Sequence, residues 1–358
     1  MTAASPALKW IEIDLAGIRA NVRWTLSRLK AGVSLVAVVK ADAYGHGTVP
    51  VARAVLAAGA SSLGVLTIDE ARALRAAGLN TPIELLAPVL PGNAREAVHL
   101  KAVAPVDSVE QARALAAAAG GRPVAVKLEM DGGLGRWGAS PKDIPALADA
   151  VARLKPLRLI GLSTHIDYVP GENAVEAEEK LRAFARIAKT LKAKFPGLKA
   201  EAANSSVLLD FPHWSFDRVR IGNLLYGISP ARKAASGLRN PWKFLARVVA
   251  LRTVEKGRPI GYAAEFIPSR RMRLATVPAG YADGLTMEPA QRLISLGQGF
   301  RYWAMVRGRP APYVGRCAIS HVLLDVTRIP GIRIGEPMIL PVRRTAANSQ
   351  LPRIYRGS

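Results

Sequence analysis

From about residue 33 to residue 230 the chain alternates between two textures. Short runs of Val, Ile, Leu and Ala are apolar at nearly every position, and longer Ala/Leu/Arg stretches at helical spacing separate them. The first texture suits a strand buried on both faces, the second a helix with one face on a core. The predicted strands are Ser34–Val39, Ser62–Thr67, Ile83–Ala87, Ala102–Val106, Val124–Met130, Leu159–Thr164, Ala200–Asn204 and Arg218–Ile221. Eight strands alternating with helices predict an α/β fold, a parallel sheet closed into a (β/α)8 TIM-type barrel. The clearest helix is Ala174–Lys194, where Leu181, Phe184, Ile187, Leu191 and then Phe195 form an apolar stripe. Ala112–Ala119 is a second, ended by Gly120-Gly121.

Beyond Pro230 the long helical stretches stop, Pro and Gly become frequent, and short β-rich runs appear: Leu245–Thr253, Arg273–Pro278, Tyr313–Gly315, Val322–Thr327 and Pro337–Val342. This predicts a barrel over residues 11–238 and a mostly β domain over 239–358, with residues 1–10 packing on the latter.

A chain of 358 residues, half of them hydrophobic, can bury two such cores. The single cysteine, Cys317, excludes an intramolecular disulfide framework. No secretory h-region and no run of 18 apolar residues is present, so a cytoplasmic protein without a membrane span is expected. With 50 Lys+Arg against 27 Asp+Glu the net charge is +23. The basic residues are dispersed, with no zinc-finger spacing and no basic block interleaved with aromatics. They read as a solvated basic surface, and no nucleic-acid partner is expected. The five histidines show no HxxxH or HExxH spacing, so no metal site is expected.

In a TIM barrel, chemistry collects where strands end. After the first strand stands Lys40, followed by Ala41-Asp42-Ala43-Tyr44-Gly45-His46-Gly47. Partial burial there lowers a lysine's pKa and makes it a good Schiff-base amine; the plainer reading is a structural lysine at the barrel mouth. After the fifth comes a glycine-rich loop carrying Arg136, which can grip a carboxylate bidentately. His165 follows the sixth strand, Asn204-Ser205-Ser206 the seventh, and Arg220-Ile221-Gly222-Asn223 closes the eighth. Small hydroxyls, amides and glycines suit a phosphate cradle.

Several segments then go beyond generic chemistry. Trp10-Ile11-Glu12-Ile13-Asp14-Leu15, Asn21, and Ala37 through Gly47 closely resemble the N-terminal signature of alanine racemases. The resemblance continues through Gly135-Arg136, Ser163-Thr164-His165, Asn204-Ser205, Val219-Arg220-Ile221-Gly222 and Leu225-Tyr226-Gly227. It reaches Gly261-Tyr262, Gly280-Tyr281-Ala282-Asp283-Gly284, Val314-Gly315-Arg316 and Arg353-Ile354-Tyr355, in order over nearly the whole chain. It implies an isomerase of the fold-type III racemases that carries pyridoxal 5'-phosphate on Lys40 and interconverts L- and D-alanine for the cell wall. Lys40 would be the base for the D enantiomer and Tyr262 of the partner subunit the base for the L enantiomer, in a head-to-tail homodimer. Arg136 would orient the cofactor's phenol oxygen and the substrate carboxylate. Arg220 would face the pyridine nitrogen, where a permanently protonated guanidinium leaves the cofactor a weaker electron sink and disfavours transamination. Tyr44, Ser205, Gly222, Asn223 and Tyr355 would hold the phosphate, with Asn204 among the cofactor's contacts. Tyr281 would line the substrate entrance. His165, near Tyr262 and Arg220, would with Arg220 be a cationic neighbour activating the Tyr262 phenol.

The chain also departs from the family pattern. Where members often carry a carbamylated lysine seven residues before the arginine, it has Glu129, expected to supply that negative charge to Arg136. After Gly315-Arg316 it reads Cys317-Ala318-Ile319-Ser320 in place of the usual Met-Asp; the Ile319 N–H can still bind the substrate carboxylate. Asn223 stands where an apolar residue is usual, and only about ten residues separate Leu340 from Leu351. These departures keep open a racemase of serine or of broad specificity. A decarboxylase on the same barrel is opposed by Arg220 and Tyr262, and a non-catalytic cofactor carrier by the presence of the β domain.

Overall fold

The computed structural model describes residues 7–230, 235–264, 266–285, 302–342, 344–347 and 349–357. They divide into two compact units, one of Leu15–Asn240 and one of the residues up to Asp14 with Pro241–Gly357.

The second unit begins with β1 (Lys9–Asp14), so residues 11–14, expected in the barrel, belong to the β unit. Ile11 and Ile13 of β1 are wholly buried. The expected packing of residues 1–10 falls partly on 1–6, which lie outside the described residues.

The barrel closes through β2 (Ser34–Val38), β3 (Ser62–Val65), β4 (Ile83–Leu85), β5 (Ala102–Val106), β6 (Val124–Met130), β7 (Leu157–Thr164), β8 (Lys199–Ala203) and β9 (Arg218–Ile221). All pairings are parallel, and β2 closes on β9 with Val36 opposite Arg220. Branched residues such as Val36, Leu63, Ile83, Val126 and Val219 are wholly buried. Each contributes about 1.5–3 kcal/mol relative to exposure, which is why a near-continuous apolar run becomes a barrel strand. Helix Ala174–Lys194 forms as its stripe predicts, with Leu181, Phe184 and Leu191 buried. Asn21, on helix Leu15–Leu26, is a structural staple: its amide donates to the carbonyls of Leu225 and Arg239 and accepts the Arg239 N–H.

The β unit continues with β10 (Trp242–Arg247), β11 (Ala250–Val254), β12 (Met272–Val277), β13 (Trp303–Val306), β14 (Arg309–Val314), β15 (Val322–Asp325), β16 (Pro337–Leu340) and β17 (Arg353–Arg356). The nine strands run in the order β11-β12-β15-β14-β13-β16-β10-β1-β17. The single run expected over Leu245–Thr253 is two strands. The ladder breaks at Val248 and Val249, whose N–H groups go to Glu336 O and Thr276 O. Among the described residues no helix is long and apolar enough to cross a membrane.

Candidate active site

The turn after β2 carries Lys40, and its backbone is unusual. Ala41, Asp42, Ala43 and Tyr44 all have left-handed dihedrals, with φ of 52, 53, 51 and 57°. A left-handed turn of L-residues costs roughly 1–2 kcal/mol per residue, so its surroundings must hold it. Ala43 N–H bonds back to Val39 O at 2.9 Å, and Gly45 N–H to Ala41 O at 3.0 Å. His46, wholly buried, donates from Nδ1 to the carbonyls of Ala43 and Tyr44. Glu70 accepts the Ala41 N–H at 2.6 Å and, through its other oxygen, the N–H groups of Leu66 and Thr67. One carboxylate thus ties the lysine turn to the chain leaving β3. The Lys40 amine is pushed below the ordinary lysine range, first by burial, then by the guanidinium groups of Arg136 and Arg220; Glu70 opposes the shift.

The loop after β6 is pinned at both ends, since Asp131 N–H donates to Ala139 O and Ala139 N–H to Glu129 O. Asp131 accepts the N–H groups of Gly133 and Gly135 within the turn. Arg136 projects from this turn with its guanidinium 3.8 Å over the Trp137 ring. Arg220, on β9, is almost buried and donates from Nη2 to Thr164 O at 2.9 Å. Asn204 caps helix Ser205–Asp210, accepting the N–H groups of Ser206 and Val207. Tyr44 stacks on the buried Tyr226, whose hydroxyl donates to Val38 O. The Tyr44 hydroxyl comes so close to Gly222 that a Cβ there would meet it at 2.3 Å, so only glycine fits.

These groups converge on one cavity of about 290 Å³. Lys40, Tyr44, Arg136, His165, Asn204, Ser205, Arg220, Gly222 and Asn223, named from the sequence, all line it. Sequence reasoning missed Leu66, Leu86, Trp137 and Tyr168, which also face it. Their signal was the one used for the others, a position just past a strand end. The site is a cationic hollow with an amine, hydroxyls and amides, suited to a small ligand bearing phosphate and carboxylate groups.

One expectation changes, and a second holds without the direct contact it would allow. His165 is held down to about 3, by burial and then by Arg220, Arg136 and Lys40, so it is neutral and cannot be a cationic neighbour of a phenol. Glu129 forms no ion pair within 4.0 Å of Arg136, so its charge reaches that guanidinium only through space, opposing the downward push of burial and Arg220; it also lies 3.9 Å from Arg220 and accepts the Ser163 hydroxyl at 2.5 Å. Its side chain extends from β6 among neighbouring strands, whereas Arg136 sits on the exposed loop.

Tyr262, Tyr281, Ile319 and Tyr355 belong to the β unit. Tyr281 N–H donates to Ala318 O and Ala282 N–H to Ile319 O, so the Tyr281 turn is stitched to Ile319. Gly280 is required beneath it, because a Cβ would lie 2.1 Å from Ala318 O. Asp283 ties the same turn, accepting the Gly280 N–H and pairing with Lys9 at 2.8 Å. Tyr262 is 66% exposed, a large aromatic surface left uncovered. Tyr355 lies on β17 opposite Ile13.

Comparison with known proteins adds two domain matches: the alanine racemase N-terminal domain over residues 13–230 and the alanine racemase C-terminal domain over residues 242–352. The chain belongs to the alanine racemase family. It is similar to the alanine racemase of Syntrophobacter fumaroxidans, 35% identical over 93% of this chain and 88% of that protein. The alanine racemase of Sorangium cellulosum is likewise 35% identical, over 92% and 86%. Among solved structures, alanine racemase from the D-cycloserine producer Streptomyces lavendulae superposes with a TM-score of 0.87 at 29% identity, covering 99% of this chain and 98% of that one. The Bartonella henselae enzyme, solved with covalently bound pyridoxal phosphate, is 24% identical with a TM-score of 0.83 over 98% and 100%, a likeness of fold.

Proposed function

We propose that this member of the alanine racemase family uses pyridoxal 5'-phosphate, carried on Lys40, to interconvert L- and D-alanine in the cytoplasm, supplying D-alanine for peptidoglycan. The observation that carries the reading is the Lys40 amine, pushed down in pKa at the floor of a cationic cavity. The residues present fit the cofactor. Lys40 offers the amine, Gly222 leaves room beside Tyr44, and Ser205, Asn223 and Tyr44 line the same wall for a phosphate. Asn204 shapes that wall as a helix cap, and Tyr355 would complete the phosphate contacts. When bound, the cofactor acidifies the Cα–H of an attached amino acid.

The protein's own groups then do the rest. Lys40, its pKa pushed down by desolvation and then by the guanidinium groups of Arg136 and Arg220, takes or returns a proton on one face of the substrate. Tyr262 of the partner subunit does so on the other face, in a head-to-tail homodimer. A phenol with a reference pKa of about 10 needs cationic company, and with His165 neutral that falls to Arg220. Arg136 orients the phenol oxygen and the substrate carboxylate. Tyr281 and the Ile319 N–H, which makes no hydrogen bond among the described residues, form the carboxylate end of the partner's contribution. Glu129 supplies negative charge to Arg136 through space and also lies 3.9 Å from Arg220, and Glu129→Gln should lower turnover. The departures at Ile319 and Ser320 leave serine as the second substrate to test.

Chiral chromatography of L-alanine incubated with protein and pyridoxal phosphate, beside Lys40→Ala, tests the reading. D-alanine formed only by the intact chain supports it. No D-alanine from a cofactor-loaded protein, with D-serine formed from L-serine, would move the substrate and keep the scaffold.

A further inference from the structure

The lumen of a (β/α)8 barrel is usually filled by branched apolar side chains. Here it holds six charges. Glu84 on β4, Lys127 on β6 and Glu201 on β8 come from alternate strands, each at most 2% exposed. Arg218 and Arg220 on β9 and Glu129 on β6 complete the set. Three cations face three carboxylates, so the cluster is electrically balanced. Burying ions costs several kcal/mol each unless they are closely paired, and the pairing is uneven. Glu84 accepts from Lys127 at 2.5 Å, from Ser62 at 2.8 Å and from Arg218. Glu201 is stretched among three cations. Its Oε1 lies 3.2 Å from Lys127 Nζ and 3.6 Å from Arg220 Nε, and its Oε2 lies 3.8 Å from Arg218 Nη1 without any hydrogen-bond partner.

We infer that Glu201 is a positioning residue for Arg220, linking the guanidinium that lines the cavity to the rest of the charge cluster. The inference rests on the reading above that Arg220 faces the cofactor. The Arg220 guanidinium is fixed by Thr164 O on Nη2, by Glu201 beside Nε and by Glu129 at 3.9 Å. Its Nη1 makes no hydrogen bond among the described residues, and Arg220 lines the cavity. Lys127 and Arg218 carry the same charge as Arg220, and Glu201 lies within 3.8 Å of all three cations. Without that carboxylate, like-charge repulsion drives the guanidinium toward Lys40 and His165.

The test compares the intact chain with Glu201→Gln, which keeps shape and removes charge, and with Glu201→Asp, which keeps charge and withdraws it by one methylene. Displacing a group by about 1 Å can cost on the order of a hundredfold in rate. Glu201→Gln should lower kcat about tenfold to a hundredfold with a smaller change in KM. It should also shift the visible absorption of the bound cofactor and slow uptake of pyridoxal phosphate by the apoprotein. Glu201→Asp should fall between, and serves alone if Glu201→Gln does not fold. A variant with lower melting temperature but the parent's kcat, uptake rate and absorption would overturn the inference, leaving Glu201 a structural charge. An intact chain that neither takes up the cofactor nor forms D-alanine would sink the functional reading instead.

Discussion

The mouth and the lumen of this barrel hold the same kinds of side chain and treat them oppositely. At the mouth Lys40, Arg136 and Arg220 crowd together; burial and mutual repulsion push the lysine down and His165 to about 3. In the lumen, Lys127 is raised by Glu201 and Glu84 despite complete burial, and Glu84 is held at about 2 by Lys127 and Arg218 although burial opposes it. Desolvation acts on both lysines. Carboxylates within hydrogen-bond reach decide that one stays charged and structural while the other is available for chemistry.

The sharpest break of that comparison is to replace each lysine by methionine. Lys127→Met leaves Glu84 and Glu201 short of a cation, and removing one partner of a buried ion pair costs about 3–5 kcal/mol. Lys40→Met removes a charge that the fold disfavours, so the apoprotein should keep or slightly gain stability. The pH dependences oppose each other too. Lys127, raised in the fold, contributes stability that is full below 10.5 and lost as pH climbs through its folded value. Lys40, lowered, makes stability rise with pH between its folded value and 10.5. Urea unfolding of both apoproteins measures this; equal losses would mean that mouth and lumen do not differ.

His165 sharpens the mouth side at acid pH. The unfolded chain protonates this histidine near its ordinary 6.5, the folded chain only near about 3. Between those values the unfolded state binds more protons, so stability falls with acid by at most about 1.4 kcal/mol per pH unit. His165→Asn should flatten that stretch of an apoprotein stability curve. An unchanged slope would show that His165 is already charged in the fold.

Much of this was legible in the residues. The barrel strands stand out because both faces are apolar, and the predicted bounds match those observed or differ by one or two residues. Leu245–Thr253 misled because its apolar run continues through the break at Val248-Val249, which only the partners at Glu336 and Thr276 reveal. β17, whose four residues are all half-buried, gives no alternation to read. Most of the cavity residues were found by their places after strands, though Leu66, Leu86, Trp137 and Tyr168 were not. The lumen cluster was not, because its partners come from strands far apart in sequence, Lys127 from Glu84 by 43 residues and Arg218 from Glu84 by 134. The signal was a charge inside a buried strand; its partner depended on barrel register. Nor does Ala41-Asp42-Ala43-Tyr44 announce a left-handed turn, since it contains no glycine.

That turn gives the gentlest test of how far the mouth depends on a carboxylate of its own. Glu70 accepts from Ala41 N–H with one oxygen and from Leu66 and Thr67 N–H with the other. Glutamine keeps one acceptor and turns the other into a donor facing an N–H. The loss should be about 1–2 kcal/mol of apoprotein stability, the difference between charge-assisted and broken hydrogen bonds. Glu70 also supports the protonated Lys40, so Glu70→Gln should lower the lysine's pKa further. The pH profile of pyridoxal phosphate uptake would then shift toward acid. A shift toward alkali would mean that the carboxylate acts only through the backbone of the turn, releasing Lys40 into water when the turn loosens.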